Sequence, residues 1–171
     1  MSGMREDHAP PAPFHVTPRG FAGPNLLAMI LFEKFGQHQP LNRQSERYRH
    51  EGVSTLADQV GACTTVLQPP HALIEAHVLA AERAGALAGT DHIGSVLEPC
   101  ETQVLRAGSE RGADRAAVMA SLIMTAKLNN IDPLAWLADV LRRIADLPQS
   151  RLPELLPWHW AAQAEHRKVA A

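Results

Sequence analysis

From Ser121 to Trp160 the sequence reads SLIMTAKLNNIDPLAWLADVLRRIADLPQSRLPELLPWHW. Apolar residues recur there every three or four positions, which only an α-helix gathers onto one face. Leu134, Leu137, Leu141 and Ile144 keep this spacing after Asp132-Pro133, whose carboxylate suits an N-cap and whose ring suits the first helical position. RLPELLPWHW follows as a short helical turn expected to end at Pro157. The same period governs most of the chain. The two runs that hint at strand, FHVT and TQVL, are four residues each and too short for a sheet. Ala supplies 27 of 171 residues while aromatics make up 5%, and Ala both favours helix and lets helices approach closely. The expected fold class is all-α.

Gly23-Pro24 opens the first helix, NLLAMILFEKFG, with Leu27, Ile30 and Leu31 on one face and Gly36 as its stop. Pro40 opens the second, LNRQSERYRHEG, with Leu41, Ser45 and Tyr48 facing inward and Arg43, Arg47 and His50 outward; Gly52 closes it. Ser54 or Thr55 can cap the third, and Thr55 with Asp58 resembles a capping box. Its stripe is Leu56, Val60, Cys63 and Leu67, and Pro69-Pro70 is read as its end. The fourth, HALIEAHVLAAERAGAL, should bury Leu73, Ile74, His77, Val78 and Ala81. Residues 85–107 carry Gly85, Gly89, Gly94 and Pro99 without a sustained period. A fifth helix resumes from Gly112 with Val118, Leu122 and Thr125 or Ala126 on one face. The organisation expected is a flexible Pro-rich tail over 1–23, a helical segment over 24–84, an irregular junction of low order over 85–107, a helical C-terminal element over 108–163, and a tail over 164–171.

A net charge of −2 exerts no global pull on nucleic acid, so DNA contact would need a local patch. The best patch is Arg43, Arg47 and His50 on the second helix, with Arg49 beside them; the competing reading is a solvated face balanced by Glu46 and Glu51. Cys63 and Cys100 make neither a C-x-x-C pair nor a disulfide framework, which fits a reducing compartment. No run approaches the roughly 18 apolar residues of a membrane span. MSGMREDHAPPAPFH lacks the apolar core of a signal peptide, so a cytoplasmic protein is expected. Nine histidines are scattered without an H-E-x-x-H or an i, i+4 pair, which favours surface and structural roles over metal binding. Asp91, Glu98 and Glu101 cluster in the Gly-broken junction, whereas a two-metal centre needs carboxylates on separate rigid elements. No P-loop, dinucleotide fingerprint or G-x-S-x-G is present. Trp136, Trp158 and Trp160 read as packing more readily than as a ligand cage. No cofactor, catalytic residue or small-molecule substrate is expected.

Two long blocks carry a family resemblance. GFAGPNLLAMILFEKFGQHQPLNRQSERYRHEGV, STLADQVGACTTVL and HALIEAHVLAAER together resemble the segment preceding the catalytic core of bacterial transposases of the insertion-sequence sixty-six family. AGSERGADRAAVMASLIMTAKLNNIDPLAWLADVLRRIADLPQSRLPELLPWHW resembles that family's C-terminal element, which ends in a Leu-Pro-Trp-Asn-Trp-like hook. The resemblance implies an origin in metal-dependent DNA transposition. In intact members an RNase H-like domain with an Asp-Asp-Glu triad, served by Mg²⁺, would lie between the blocks, after an N-terminal zinc-binding, DNA-binding portion. Here the chain starts after that portion, and a few residues of the usual connection are missing between Val53 and Ser54. Residues 84–106 fill the place of the core and match none of its acidic motifs. The expectation is therefore an internally deleted, catalytically inactive transposase fragment. The alternative is a helical module that still contacts DNA, through phosphates at Arg43, Arg47, Arg49 and His50, or binds full-length transposase subunits. A third reading, an enzyme built around Asp91 to Glu101, is weaker.

Overall fold

A computed structural model of the chain describes residues 22–50, 56–83, 109–160 and 162–163. Every element among them is helical and none is a strand, so the fold is all-α. The expected tails, the junction with Asp91, Glu98, Glu101 and Cys100, and the Gly52 and Thr55 caps lie outside the described residues.

Helix α1, Pro24–Leu31, starts where expected, with Gly23 as N-cap and proline at the first position. It does not stop at Leu31. It continues as a π-helical turn over Phe32–Gly36, closed by the Gln37 amide donating to the Phe32 carbonyl at 3.0 Å. The wider turn re-phases the helix, so that both Phe35 and Glu33 are buried. Gly36 belongs there because a Cβ would meet the Phe32 ring at 2.9 Å. His38 then takes a φ of 57°, the left-handed region that reverses the chain.

Helix α2 spans Leu41–Arg49 from Pro40, and α3 spans Leu56–Val66. Leu56, Val60, Cys63 and Leu67 are buried as their spacing requires. On α2 the inward pair is Gln44 and Tyr48, with Leu41 and Ser45 only half-buried. Pro69-Pro70 does more than end α3. It lies in the first turn of α4, Gln68–Arg83, where the missing N–H groups would have had no intrahelical partner. On α4 Ile74 and His71 are buried, but His77 is exposed, contrary to the sequence expectation. Its imidazole instead lies against the Trp158 ring, tilted by 32° with ring centres 4.8 Å apart.

Helix α5, Glu110–Leu128, begins earlier than Gly112 because Ser109 caps it, its hydroxyl accepting from the Gly112 amide at 3.2 Å. Asn130, at φ 56°, turns the chain into α6, Pro133–Arg143, whose N-cap Asp132 accepts from Leu134 and Ala135. A 3₁₀ helix, Gln149–Leu155, follows. Pro157 opens a last helical turn at 157–160 rather than closing one, again using proline where no N–H is needed.

One hydrophobic core unites the elements. Leu27, Ala28, Ile30 and Leu31 of α1 share it with Trp136, Leu137, Val140 and Leu141 of α6, and α1 packs along α6. The π turn lies on α5, α3 on α1 and α5, and α4 on α5 and the 3₁₀ helix. At the α3–α5 crossing the Arg115 guanidinium sits where a Cβ on Gly61 would come within 3.1 Å.

Candidate nucleic-acid interface

Helix α2 offers Arg43, Arg47, Arg49 and His50 to solvent, since Gln44 and Tyr48 take its buried positions. The four are not equivalent. Arg47 turns its guanidinium back to the π turn, where Nη2 lies 2.5 Å from both carboxylate oxygens of Glu33. The same nitrogen donates to the Tyr48 hydroxyl, which itself lies 3.4 Å from Glu33 Oε2. The Arg47 guanidinium also stands 4.5 Å from the centre of the Tyr48 ring, within cation–π range. Hydrogen bonding to Glu33 and then Tyr48 pushes the Arg47 pKa upward, so it stays charged but engaged. Burial pushes the Tyr48 phenol up, with the Arg47 hydrogen bond opposing.

Glu33, only 8% exposed, is the residue that sequence reasoning missed. The balancing carboxylates expected from spacing were Glu46 and Glu51; Glu46 is exposed and Glu51 lies outside the described residues. Glu33 is fourteen residues from Arg47 and comes inward only because the π turn shifts the helical phase. A carboxylate between two phenylalanines, in FEKF, was the available signal. Arg43 and Arg49 make no ion pair among the described residues. Three arginines of the C-terminal part are engaged: Arg142 and Arg143 contact Asp139 at 3.4 and 3.2 Å, and Arg151 contacts Glu154 at 2.6 Å.

The tryptophans pack. Trp136 is fully buried, with its indole N–H donating to the Leu155 carbonyl at 2.8 Å. The Trp160 indole donates to Asp139 Oδ2, also at 2.8 Å, so the terminal hook is tied back to α6. Trp158 lies against His77 of α4 with ring centres 4.8 Å apart. No group of three His, Cys, Asp or Glu side chains comes together among the described residues. No helix among them is long and apolar enough to cross a membrane.

Comparison with known proteins places these elements. The model of the transposase IS66 family matches residues 19–86, which hold α1 to α4, and the model of the IS66 C-terminal element matches residues 121–158. The chain belongs to the IS66 transposase family. Three Sinorhizobium fredii proteins, all described as uncharacterized, are similar in part. Protein y4hP is 69% identical over 77 residues, 43% of this chain and 14% of its own length. Protein y4jD is 51% identical over 57 residues, 32% of this chain and 11% of its own. Protein y4qI is 44% identical over 61 residues, 35% and 11% respectively. The chain thus spans only a small fraction of the relatives it matches. No solved structure matches it. In IS66 terms, the core described above is a seam between the two matched segments. The C-terminal element lays α6 on α1, its 3₁₀ helix on α4, and Trp158 on His77.

Proposed function

We propose that the chain is a transposase-derived protein without a strand-transfer centre of its own. What supports this reading is the spacing of the two IS66 segments. The first match ends at residue 86 and the second begins at 121, and α5 already occupies 110–120. Residues 84–108 are left for anything between α4 and the Ser109 cap. An RNase H-like sheet needs about five strands of roughly 5–6 residues, which would exhaust that length before any connection is made. The test is a Mg²⁺- and Mn²⁺-dependent nicking assay on duplex and single-stranded DNA. No metal-dependent product is expected, and nicking lost on Asp91→Ala would overturn the reading.

The retained role we assign is a weak, sequence-insensitive phosphate contact through α2. The observation that favours it is that Arg43 and Arg49 are exposed and make no ion pair among the described residues, with His50 one residue on. Each phosphate neutralised changes the log–log salt dependence by roughly −0.9, so two arginines give a slope near −1.8. Duplex binding without salt dependence, or no binding at low salt, would reduce α2 to ordinary solvated surface.

A further inference from the structure

Resting on the phosphate-contact reading of α2, we infer that this contact is proton-linked: binding to duplex phosphate places a proton on Glu33 and turns Arg47 into a third contact. Falling pH therefore strengthens the α2 surface.

Among the described residues, Glu33 has two side-chain partners, Arg47 and Tyr48. Its side chain is 11% exposed, against 47% for Arg47, so the carboxylate is the dry half of the pair and the guanidinium the wet half. The hydrogen bonds of Arg47 all run through Nη2, to both Glu33 oxygens and to the Tyr48 hydroxyl. Its Nε and Nη1 donate to nothing among the described residues, which leaves them for an outside acceptor. The Tyr48 ring, 4.5 Å away, steadies the guanidinium in that position.

A phosphate reaching Nε and Nη1 meets a pair of zero net charge. The ionised Glu33 cancels the Arg47 charge and repels the phosphate, so Arg47 releases no counterion. A proton on Glu33 removes both effects. The neutral acid has a partner in place, because its hydroxyl can donate to the Tyr48 oxygen, 3.4 Å from Glu33 Oε2. Burial also costs a neutral carboxyl far less than an unpaired carboxylate. Arg47 then exchanges carboxylate for phosphate, which suits the same guanidinium fork. The bound state holds more protons than the free one, so affinity rises as pH falls.

The groups around Glu33 leave this role to it. On its own turn Lys34 lies 5.2 Å from the centre of the Phe35 ring, His38 follows the turn, and α1 carries no ionisable side chain. Helix α5 packs beside Gly36 through Ile123, and its Glu110, Arg111, Asp114, Arg115 and Lys127 make no ion pair with Glu33. On α2 the remaining ionisable groups are Arg43, Glu46 and Arg49, with His50 at the C-cap.

The experiment titrates the full chain, wild type and Glu33→Gln, into a labelled duplex across a salt series at about pH 7.5 and about pH 5.5, followed by fluorescence anisotropy. Between the two pH values the wild-type log–log slope should steepen by about 0.9 more than that of Glu33→Gln, which carries the third contact at both. Histidine responses are shared by the two proteins and cancel in this comparison. Wild-type affinity should gain up to about tenfold per pH unit relative to the variant. Calorimetry of wild type in buffers of different ionisation enthalpy gives a second reading that needs no variant: up to about one proton taken up per chain bound at the lower pH. Equal pH responses in the two proteins, or binding without proton uptake, would overturn the inference and leave the α2 contact standing. No duplex binding at low salt at either pH would overturn the contact and the inference together.

Discussion

Helix α1 meets the rest of the protein through two regions of opposite chemistry. Along its α-helical length, Leu27, Ala28, Ile30 and Leu31 enter an apolar core with Trp136, Leu137, Val140 and Leu141. At its π-helical end, Glu33 meets Arg47 and Tyr48 of α2. Gln44 on α2 and Gln59 on α3 each bury an Oε1 that has no hydrogen-bond partner among the described residues. The first region gains about 1.5–3 kcal/mol per large apolar side chain buried. The second spends much of its attraction on desolvation, so it contributes little to net stability while fixing where each charge points. The apolar seam holds the two family segments together; the polar seam decides which arginines of α2 remain available to a ligand.

The largest break in this contrast comes from the apolar side. Trp136→Ala removes a fully buried indole and leaves the Leu155 carbonyl without its donor, and should cost about 3–5 kcal/mol. Urea unfolding followed by circular dichroism will read it, and a loss below 1 kcal/mol would show that the seam is loose.

Alkaline pH probes the dryness of the same core. Cys63 is a free, buried thiol whose pKa is pushed up by burial to about 12 from 9.0. The raised folded-state value means that its contribution to stability is intact below pH 9. Above that the unfolded thiol ionises and the native one does not. Stability should then fall by up to ~1.4 kcal/mol per pH unit until the native thiol also ionises. Cys63→Ala should flatten this part of the profile relative to wild type, and equal alkaline slopes for the two proteins would show that water reaches the sulfur.

Glu33→Gln tests the polar side and should cost only about 1–2 kcal/mol, because the Arg47 side chain is 47% exposed and can find water. It should also release Arg47 towards phosphate and steepen the DNA salt slope from near −1.8 to about −2.7, one contact more. An unchanged slope would mean that Glu33 does not hold Arg47 back.

The smallest effect on stability belongs to Arg43→Ala with Arg49→Ala, expected within about 0.5 kcal/mol because both are exposed and Ala favours helix. The same double change should nevertheless abolish most of the salt dependence of DNA binding. A large loss of stability would reveal a structural role that the contacts do not contain.

The sequence by itself determined the helices, most of their starts and the family. Asp132-Pro133, Gly23-Pro24 and the stripe from Leu134 to Ile144 are local signals, because capping and amphipathicity depend on neighbours three or four residues away. Proline was harder to place. Pro69 and Pro157 each open the following turn, since the same missing N–H that ends one helix suits the first turn of the next. The period of α4 points His77 inward, but a period cannot tell a core position from an exposed flank that meets a single tryptophan. Tertiary structure alone decided that α1 lies on α6, that Trp160 returns to Asp139, and that Arg47 is held by Glu33. Such contacts join residues 14 to 117 positions apart, and the shortest of these spans, Glu33 to Arg47, uses a π turn that no spacing rule announces. Local rules fix which side of a helix is apolar, but the partner that covers it is chosen by shape and burial across the whole fold.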